Sequence, residues 1–304
     1  MNFKVSVITP VYNAAEFLRK SVESAVYLDE VGEIILIEDG SKDNSLEVCK
    51  ALEKEFSKVI MCRHDEGKNK GAGASRNVGI SKSRFEFISF LDADDFYLEN
   101  RFEFSKKIFS EMPYADGVYE ATGIFYYSKD AKQNYFDSKG KDEVLTTVKT
   151  EVHPDHFFDK YIQRKIGHFT TDAITLKREV FDKVGVFNTE LRLHQDSELW
   201  YRIAFHCNLY AGNISNPVAV RGVHEKNRIV HSGSKSKFLL YESLFNYFIN
   251  KNIHSESLKF IMKKYLNFRS KEVRIINHKK LNKLLTLILI VIETPMVLRK
   301  FISK

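Results

Sequence analysis

The first hundred residues alternate short apolar runs with stretches whose apolar residues recur every three or four positions. The short runs predict buried strands, at residues 3–9, 33–38, 59–62 and 85–89. The longer stretches predict amphipathic helices, the first with its apolar side at Phe17, Leu18, Val22, Ala25 and Val26. Strands that alternate with helices predict an α/β fold, with a mainly parallel sheet and helices on both faces.

Local signals refine the ends of these elements and extend the prediction along the chain. Pro10 is expected to end the first strand, and Asn13 with Glu16 has the spacing of a helix N-cap and capping box. The aromatic-rich residues 119–127 predict further strands, and residues 196–206 predict a helix. Beyond about residue 232 the pattern is helical and basic.

The run Phe90-Leu91-Asp92-Ala93-Asp94-Asp95 carries the strongest chemical signal. It follows a predicted buried strand, and residues two apart in extended chain point the same way, so Asp92 and Asp94 can converge. Ligands of open α/β sheets bind at the carboxyl ends of the strands. Paired carboxylates there suit Mg²⁺ or Mn²⁺ and a phosphorylated ligand. The alternative is an acidic turn that only solvates a strand end.

Composition places the chain among ordinary globular proteins. Its 304 residues are enough for one large domain with an appendage or for two domains. The cysteines Cys49, Cys62 and Cys207 have no zinc-site spacing, and nothing suggests a disulfide framework. The N-terminus has no apolar core of signal-peptide length, so a cytoplasmic location is expected.

Positive charge is concentrated in the C-terminal tail. Residues 251–304 contain 13 lysines and arginines against 3 acidic residues, a balance of +10, so of the total of +7 the first 250 residues carry −3. Residues 284–292 are apolar except for Thr286, with lysines on either side. The tail therefore predicts contact with an anionic membrane surface, or a helix packed on protein with solvated lysines. Nucleic-acid binding is not expected, because the tail has few interleaved aromatic residues and no known module.

Several stretches together resemble a family 2 glycosyltransferase of the bacterial surface-polysaccharide type. The four stretches on the nucleotide side are residues 5–13, 37–43, 71–79 and 90–95, and residues 184–187 and 195–202 resemble the acceptor-side segments. The resemblance implies a GT-A fold over residues 1–231, with a nucleotide-binding half at about 1–98 and an acceptor-side half at about 99–231. Residues 232–304 would be a helical extension.

The resemblance also implies a donor site. Asp39 would read uracil, while Gly40 would let the backbone turn closely around the ligand. Tyr12 could stack on the base, Asp92 would contact the ribose, and Arg76 could orient the carboxylates or reach a phosphate. The implied nucleotide-binding set is Pro10, Tyr12, Asn13, Asp39, Arg76, Asp92 and Ala93. Glu38 stands where the family often has aspartate.

Metal and acceptor chemistry follow from the same resemblance. Asp94 and His224 would bind Mn²⁺ or Mg²⁺ at the diphosphate, and Asp95 would cap the next segment or join the ligands. Asp196 would be the general base, with Glu198, expected on the solvated side of its helix or in a salt bridge, as the rival. The family usually has Glu-Asp where this chain has Gln195 and Asp196.

Further side chains are assigned less specific contacts. Arg221 and Arg228 flank His224 and could meet phosphate oxygens, and His231 lies in a similar setting. Residues 167–172 could touch sugar, because hydroxyl and carboxylate groups suit carbohydrate. An ordinary loop explains this last segment equally well.

The expected function is metal-dependent, inverting transfer of a sugar. The donor would be a nucleotide sugar, a UDP-hexose or UDP-N-acetylhexosamine, and the acceptor a glycan or lipid-linked glycan at the inner face of the cytoplasmic membrane. A haloacid-dehalogenase-type phosphatase fits poorly, because its Asp-x-Asp ends the first strand. A dinucleotide oxidoreductase lacks its glycine motif here. The remaining alternative is a non-catalytic nucleotide- or membrane-binding protein with a GT-A fold.

Overall fold

The computed structural model describes residues 3–139, 144–225, 227, 233–273, 275–276 and 278–294. The chain forms two compact units. The first comprises Met1–Thr189 and Leu199–Val230, and the second comprises Glu190–Glu198 and His231–Lys304. The short segment 190–198 therefore belongs with the C-terminal helices and not with the α/β part of the chain.

The first unit alternates strands and helices from its N-terminus. Its strands are β1 (Val5–Val11), β2 (Val31–Glu38), β3 (Val59–Arg63), β4 (Phe87–Phe90), β5 (Phe96–Tyr97), β6 (Gly117–Tyr119), β7 (Ala121–Tyr126), β8 (Leu145–Thr146), β9 (Ile174–Lys177), β10 (Leu209–Ala211) and β11 (Pro217–Val223). Its helices are α1 (Leu18–Val26), α2 (Ser45–Glu55), α3 (Ala72–Lys82), α4 (Glu103–Glu111), α5 (Lys129–Lys139), α6 (Pro154–Ile162) and α7 (Glu179–Val184). Helix α8 (Gln195–His206) begins in the segment 190–198 and continues in this unit.

The larger sheet has the strand order β10-β6-β9-β4-β1-β2-β3. Strand β1 lies between β2 and β4 and is parallel to both, and β3 is parallel to β2. Strand β9 is antiparallel to β4 and β6. The apolar residues of β1 and β2 are fully buried, as continuous apolar runs predict for strands covered on both faces. The predicted mainly parallel α/β fold is confirmed.

The smaller sheet has the order β5-β11-β7-β8 and continues past the end of β4. Val220 on β11 pairs with Phe96 on β5, just after the aspartate run. Gly222 allows the close approach of β11 to that run, because a Cβ there would lie 2.2 Å from the backbone oxygen of Asp94. The C-terminal end of β11 is thereby brought to the acidic turn.

Two predicted element ends were wrong. Strand β1 continues through Pro10 to Val11, because β4 pairs with β1 only as far as Ile8 and no strand needs an N–H from residue 10. Helix α1 begins at Leu18 with no side-chain cap. Asn13 is not available as that cap, since its Oδ1 accepts a hydrogen bond from the Lys42 N–H.

The described residues of the second unit from Ser234 onwards are mainly helical, as predicted. It contains α9 (Ser234–Phe248), α10 (Ser255–Glu272) and α11 (Lys279–Glu293). Helices α9 and α10 pack through stacked aromatic rings, with the Phe245 and Tyr265 centroids 4.9 Å apart. Among the described helices, none is both long enough and apolar enough to cross a membrane.

Candidate functional site

Asp39 follows β2 and is nearly fully buried, with 2% of its surface exposed. Its carboxylate accepts hydrogen bonds from the Lys70 N–H at 2.6 Å, the Gly71 N–H at 2.9 Å and the Asn69 side chain at 3.0 Å. These donors immediately precede α3, so the negative charge lies at the positive end of that helix. Asp39 therefore fastens the glycine-rich loop to the sheet.

Gly40 allows the backbone of residues 67–69 to lie directly against the turn after β2. Its φ of +71° is in the left-handed region, and a Cβ would lie 2.5 Å from the backbone oxygen of Gly67. Glycine is therefore required both by the turn and by the neighbouring backbone.

The loop after β1 is tied to the loop after β2. The Asn13 N–H donates to Ser41 Oγ at 3.0 Å, and the Lys42 N–H donates to Asn13 Oδ1 at 2.8 Å. Pro10 and the half-buried Tyr12 lie on the same strand end. The structure thus brings the predicted residues Pro10, Tyr12, Asn13 and Asp39 to the carboxyl ends of two adjacent strands.

Glu38 occupies the position where the family often has aspartate. Its buried carboxylate accepts hydrogen bonds from the Ser41 N–H and from Arg63 Nε at 2.7 Å. Burial alone raises the pKa of Glu38, but the bonds from Ser41 and the ion pair with Arg63 outweigh it, so the pKa is lowered. The carboxylate stays ionised and holds the turn after β2.

Asp92 follows β4, the other neighbour of β1. Its backbone N–H donates to Asp172 Oδ1 at 2.9 Å, and its carboxylate is paired with the buried guanidinium of Arg76. The Asp92 side chain is 35% exposed, whereas Ala93 is buried. Arg76 was predicted to orient the carboxylates or to reach a phosphate, and its ion pair with Asp92 agrees with the first role.

Asp94 and His224 lie together at the junction of the two sheets. His224 Nε2 is 3.1 Å from Asp94 Oδ2, and the Asn227 amide donates to the same oxygen at 3.1 Å. Two ligands at right angles on one Mg²⁺ ion would be about 3 Å apart, so this pair fits a divalent cation. The Asp94 side chain is 30% exposed, and no hydrogen bond from the described residues reaches Oδ1.

Aromatic side chains hold the imidazole of His224. The Phe17 ring stacks on it with centroids 4.3 Å apart and planes 18° from parallel, and Tyr127 lies 6.1 Å away. Phe17 itself packs on Tyr127 at 4.8 Å. The sequence predicted Phe17 only as a core position of the first helix, and it gave no signal for Asn227.

Asp95 and Asp172 form a buried carboxyl pair beneath the exposed aspartates. Their carboxylate oxygens lie within 4.8 Å of each other. Burial, with the charges of neighbouring aspartates, raises the pKa of Asp95 well above its usual range. Burial and the charge of Asp92 also raise the pKa of Asp172, to about 6.

The same pair defines a second acidic cluster. Carboxylate oxygens of Asp92, Asp95 and Asp172 lie within 4.8 Å of one another. Asp95 already accepts the Gly222 N–H at 2.8 Å, and Asp172 accepts the Asp92 N–H. Because Asp95 and Asp172 are buried and already bind backbone N–H groups, this cluster suits a structural support for the turn better than a cation site.

The buried ion pair of Arg101 with Glu120 lies next to this cluster and was not predicted. Arg101 has no exposed surface, and its Nη1 is 3.2 Å from Glu120 Oε2. Its Nε donates to the backbone oxygen of Asp172 at 2.9 Å, and its Nη2 donates to Ser89 Oγ at 2.6 Å. Arg101 thereby joins the end of β4 to the turn Thr171–Ala173. In the sequence neither residue stands in a motif.

The predicted sugar-contacting segment 167–172 lies largely inside the unit. Thr171 and Asp172 are buried, and Thr170 Oγ1 is 2.6 Å from Thr122 Oγ1. These side chains support the site from beneath. Arg221 donates to the Tyr135 hydroxyl at 2.7 Å. Arg228 and His231 lie outside the described residues.

Asp196 lies in the first turn of α8, where the helix dipole favours a carboxylate. Its Oδ1 accepts the Ser197 N–H at 2.7 Å. Of the two settings expected for Glu198, the solvated side of the helix or a salt bridge, the solvated side was wrong. Glu198 is 2% exposed and accepts a hydrogen bond from Ser243 at 3.2 Å.

Comparison with known families decides the assignment. The model described as Glycosyl transferase family 2 matches residues 6–185, more than half of the chain. The chain belongs to glycosyltransferase family 2. The predicted family is therefore confirmed.

Curated relatives of this family-2 chain are 25% to 39% identical to it over the aligned segments. An uncharacterized glycosyltransferase of Rickettsia felis is 29% identical over 66% of this chain and 31% of its own length. Glycosyltransferase GlyG of Streptococcus pneumoniae is 28% identical over 69% of this chain and 70% of GlyG. Minor teichoic acid biosynthesis protein GgaA of Bacillus subtilis is 39% identical over 31% of this chain and 22% of GgaA. The chain spans about a third of the length of the relatives from Rickettsia felis and Rickettsia conorii.

Solved structures agree on the fold. The crystal structure of S. aureus TarS 1–349 with UDP has a TM-score of 0.64 at 15% identity, over 90% of this chain and 76% of TarS. The same fragment with UDP-GlcNAc also gives 0.64, at 13% identity over 93% and 79%. This likeness confirms the predicted GT-A fold.

Proposed function

We propose that this protein is a metal-dependent, inverting glycosyltransferase. It moves a hexose or N-acetylhexosamine from a UDP-sugar to a glycan or lipid-linked glycan during cell-surface polysaccharide synthesis. The observation that carries the proposal is the Asp94–His224 pair, 3.1 Å apart at the carboxyl end of the parallel sheet. The UDP and UDP-GlcNAc complexes of the TarS structures support the choice of donor.

The residues would divide the work on the donor. Asp94 and His224 hold Mn²⁺ or Mg²⁺, which when bound neutralises the charge of the leaving nucleoside diphosphate. Asp92, held by Arg76, offers its carboxylate to the ribose. Pro10, Tyr12, Asn13 and Asp39 line the base pocket.

Asp196 would serve as the general base. It takes the proton of the acceptor hydroxyl as that oxygen attacks the anomeric carbon, and the bond to the UDP oxygen breaks. The neighbouring Gln195 is neutral and cannot act as the base itself. The chemistry therefore relies on one carboxylate at the start of α8.

The acceptor would be a bacterial surface polymer. The name of GgaA, a minor teichoic acid biosynthesis protein, supports this class. If the acceptor is lipid-linked, the protein works in the cytoplasm at the inner face of the membrane. The excess of positive charge in residues 251–304 supports contact with that surface.

The donor site is tested by thermal unfolding with UDP, UDP-GlcNAc, UDP-glucose and UDP-galactose, with and without Mn²⁺. A ligand that binds the folded state raises the melting temperature by mass action. We expect a Mn²⁺-dependent rise that Asp94→Asn removes and the exposed control Asp130→Asn keeps. No rise with any nucleotide would reject the donor assignment.

The base is tested separately with Asp196→Asn. General-base removal costs about 10²- to 10⁴-fold in turnover, and we expect such a loss with unchanged UDP binding. Glu198→Gln should retain turnover, since Glu198 is buried against Ser243. If Glu198→Gln lost turnover and Asp196→Asn retained it, Glu198 would be the general base instead. Nucleotide binding without transfer to any polymer acceptor would favour a non-catalytic protein.

A further inference from the structure

Helix α11 buries two polar side chains together with Ile290, and it exposes several leucines and isoleucines. Asn282 and Thr286 are buried, with 5% and 0% of their surfaces exposed. Leu284, Ile288 and Ile292 are 52%, 46% and 66% exposed. A helix that only covered the protein would turn its leucines and isoleucines inward.

The inward polar groups fix this orientation. The Asn282 side chain donates to the Ser270 oxygen at 2.8 Å and accepts the Ile275 N–H at 2.7 Å. The Thr286 hydroxyl donates to the Asn282 oxygen at 2.7 Å. At the other end Glu293 pairs with Arg269 at 2.7 Å. The Thr286 bond lies within α11, but rolling the helix to bury its apolar side would break the bonds of Asn282 and Glu293 to other segments.

The outward residues form one continuous stripe because they recur every three or four positions. We call it the α11 face, and it consists of Leu281, Leu284, Ile288, Leu289 and Ile292. A helix of 15 residues is about 22 Å long. Exposed apolar strips of this length mark interaction surfaces.

Charge next to the stripe identifies the partner. Lys280 and Lys283 are exposed on α11, within a tail that carries a balance of +10. Anionic lipid headgroups would neutralise these lysines while the apolar stripe enters the interface. Apolar residues beside lysines are the composition of helices that lie in the membrane interface.

We propose that the α11 face binds the surface of an anionic lipid bilayer, with the helix lying in the plane of the interface. The inference deepens the proposed membrane contact and rests on the proposed function only for the expectation of a lipid-linked acceptor. Vesicle binding needs neither donor nor acceptor, so its result is independent of the activity.

The test is co-sedimentation of the full chain with vesicles of phosphatidylcholine alone or mixed with phosphatidylglycerol. Leu284→Gln with Ile288→Gln should lower partitioning about tenfold or more, because each removes an apolar side chain from the interface. Lys280→Gln with Lys283→Gln should lose about fivefold per charge on anionic vesicles and little on neutral ones. The control is Tyr27→Gln with Val144→Gln, since these residues are 73% and 75% exposed in the first unit.

Circular dichroism would verify that each variant keeps its helices. Binding that is unaffected by the α11 substitutions would overturn the proposal. Absence of vesicle binding, together with concentration-dependent self-association that Leu284→Gln with Ile288→Gln abolishes, would instead assign the face to a second copy of the chain. If vesicle binding behaves as expected but UDP-sugars fail to bind, the membrane surface stands and the proposed function fails.

Discussion

Two aspartates on one sheet edge behave differently. Asp39 after β2 is 2% exposed, and its carboxylate binds two backbone N–H groups and an amide. Asp94 after β4 has a side chain that is 30% exposed and contacts His224 and Asn227 through one oxygen. The first therefore has a structural part in addition to its predicted role in base recognition, while the second has an oxygen open to a ligand.

The largest expected effect is on the free energy of unfolding, and it separates the structural role of Asp39 from the ligand-binding role of Asp94. Asp39→Ala removes the charged acceptor of the Lys70 and Gly71 N–H groups, and a hydrogen bond to a charged group contributes about 1.5–3 kcal/mol. We expect the free energy of unfolding to fall by about 3 kcal/mol or more. Asp94→Ala should cost less than about 1 kcal/mol. Urea unfolding followed by circular dichroism measures both, and equal losses would break the comparison.

The second prediction asks whether Mn²⁺ binding by Asp94 and His224 depends on the aromatic ring of Phe17. Because Phe17 stacks on His224, Phe17→Leu should weaken Mn²⁺ binding in the presence of UDP by about tenfold, as loss of ligand-orienting contacts does elsewhere. In a His224→Ala background the same change should have little effect. Mn²⁺ electron paramagnetic resonance gives the affinities.

The buried Phe109→Leu serves as the packing control for this cycle. Additive effects of Phe17→Leu and His224→Ala would mean that Phe17 does not act through the imidazole. If His224→Ala by itself leaves the Mn²⁺ affinity unchanged, His224 is not part of the proposed cation site.

The third prediction concerns Asp95 and Asp172, the carboxyl pair beneath the site. The pKa of Asp172 is raised from 3.8 to about 6, so between these values the folded protein holds a proton that the unfolded chain has released. Stability of the metal-free protein therefore falls as pH rises from about 4 to 6. Asp172→Asn should reduce this fall by roughly 1–2 kcal/mol.

Urea unfolding at pH 4 and pH 6 in the presence of EDTA checks this slope. Asp130→Asn, on the exposed face of α5, should leave it unchanged. A slope that is the same in Asp172→Asn as in the wild type would show that the pair does not carry the extra proton.

Local sequence predicted the elements that carry the site. Mostly apolar runs were sufficient for β1, β2 and β4, because strands buried on both faces need few polar residues; in β1 even Ser6 and Thr9 are buried. The acidic run after β4 was recognisable because its residues are consecutive. The end of β1 was missed because the pairing of Pro10 depends on how far the neighbouring strand extends.

The sequence by itself determined the family, the α/β class and the aspartates at the strand ends, since these depend on periodicity and on short motifs. Tertiary structure decided which side chains surround them. Phe17 reaches His224, and Arg101 reaches Asp172, through contacts between residues far apart in the chain. It also decided which side of α11 faces outward, because the bonds of Asn282 to the preceding loop outweigh the preference of leucine for the interior.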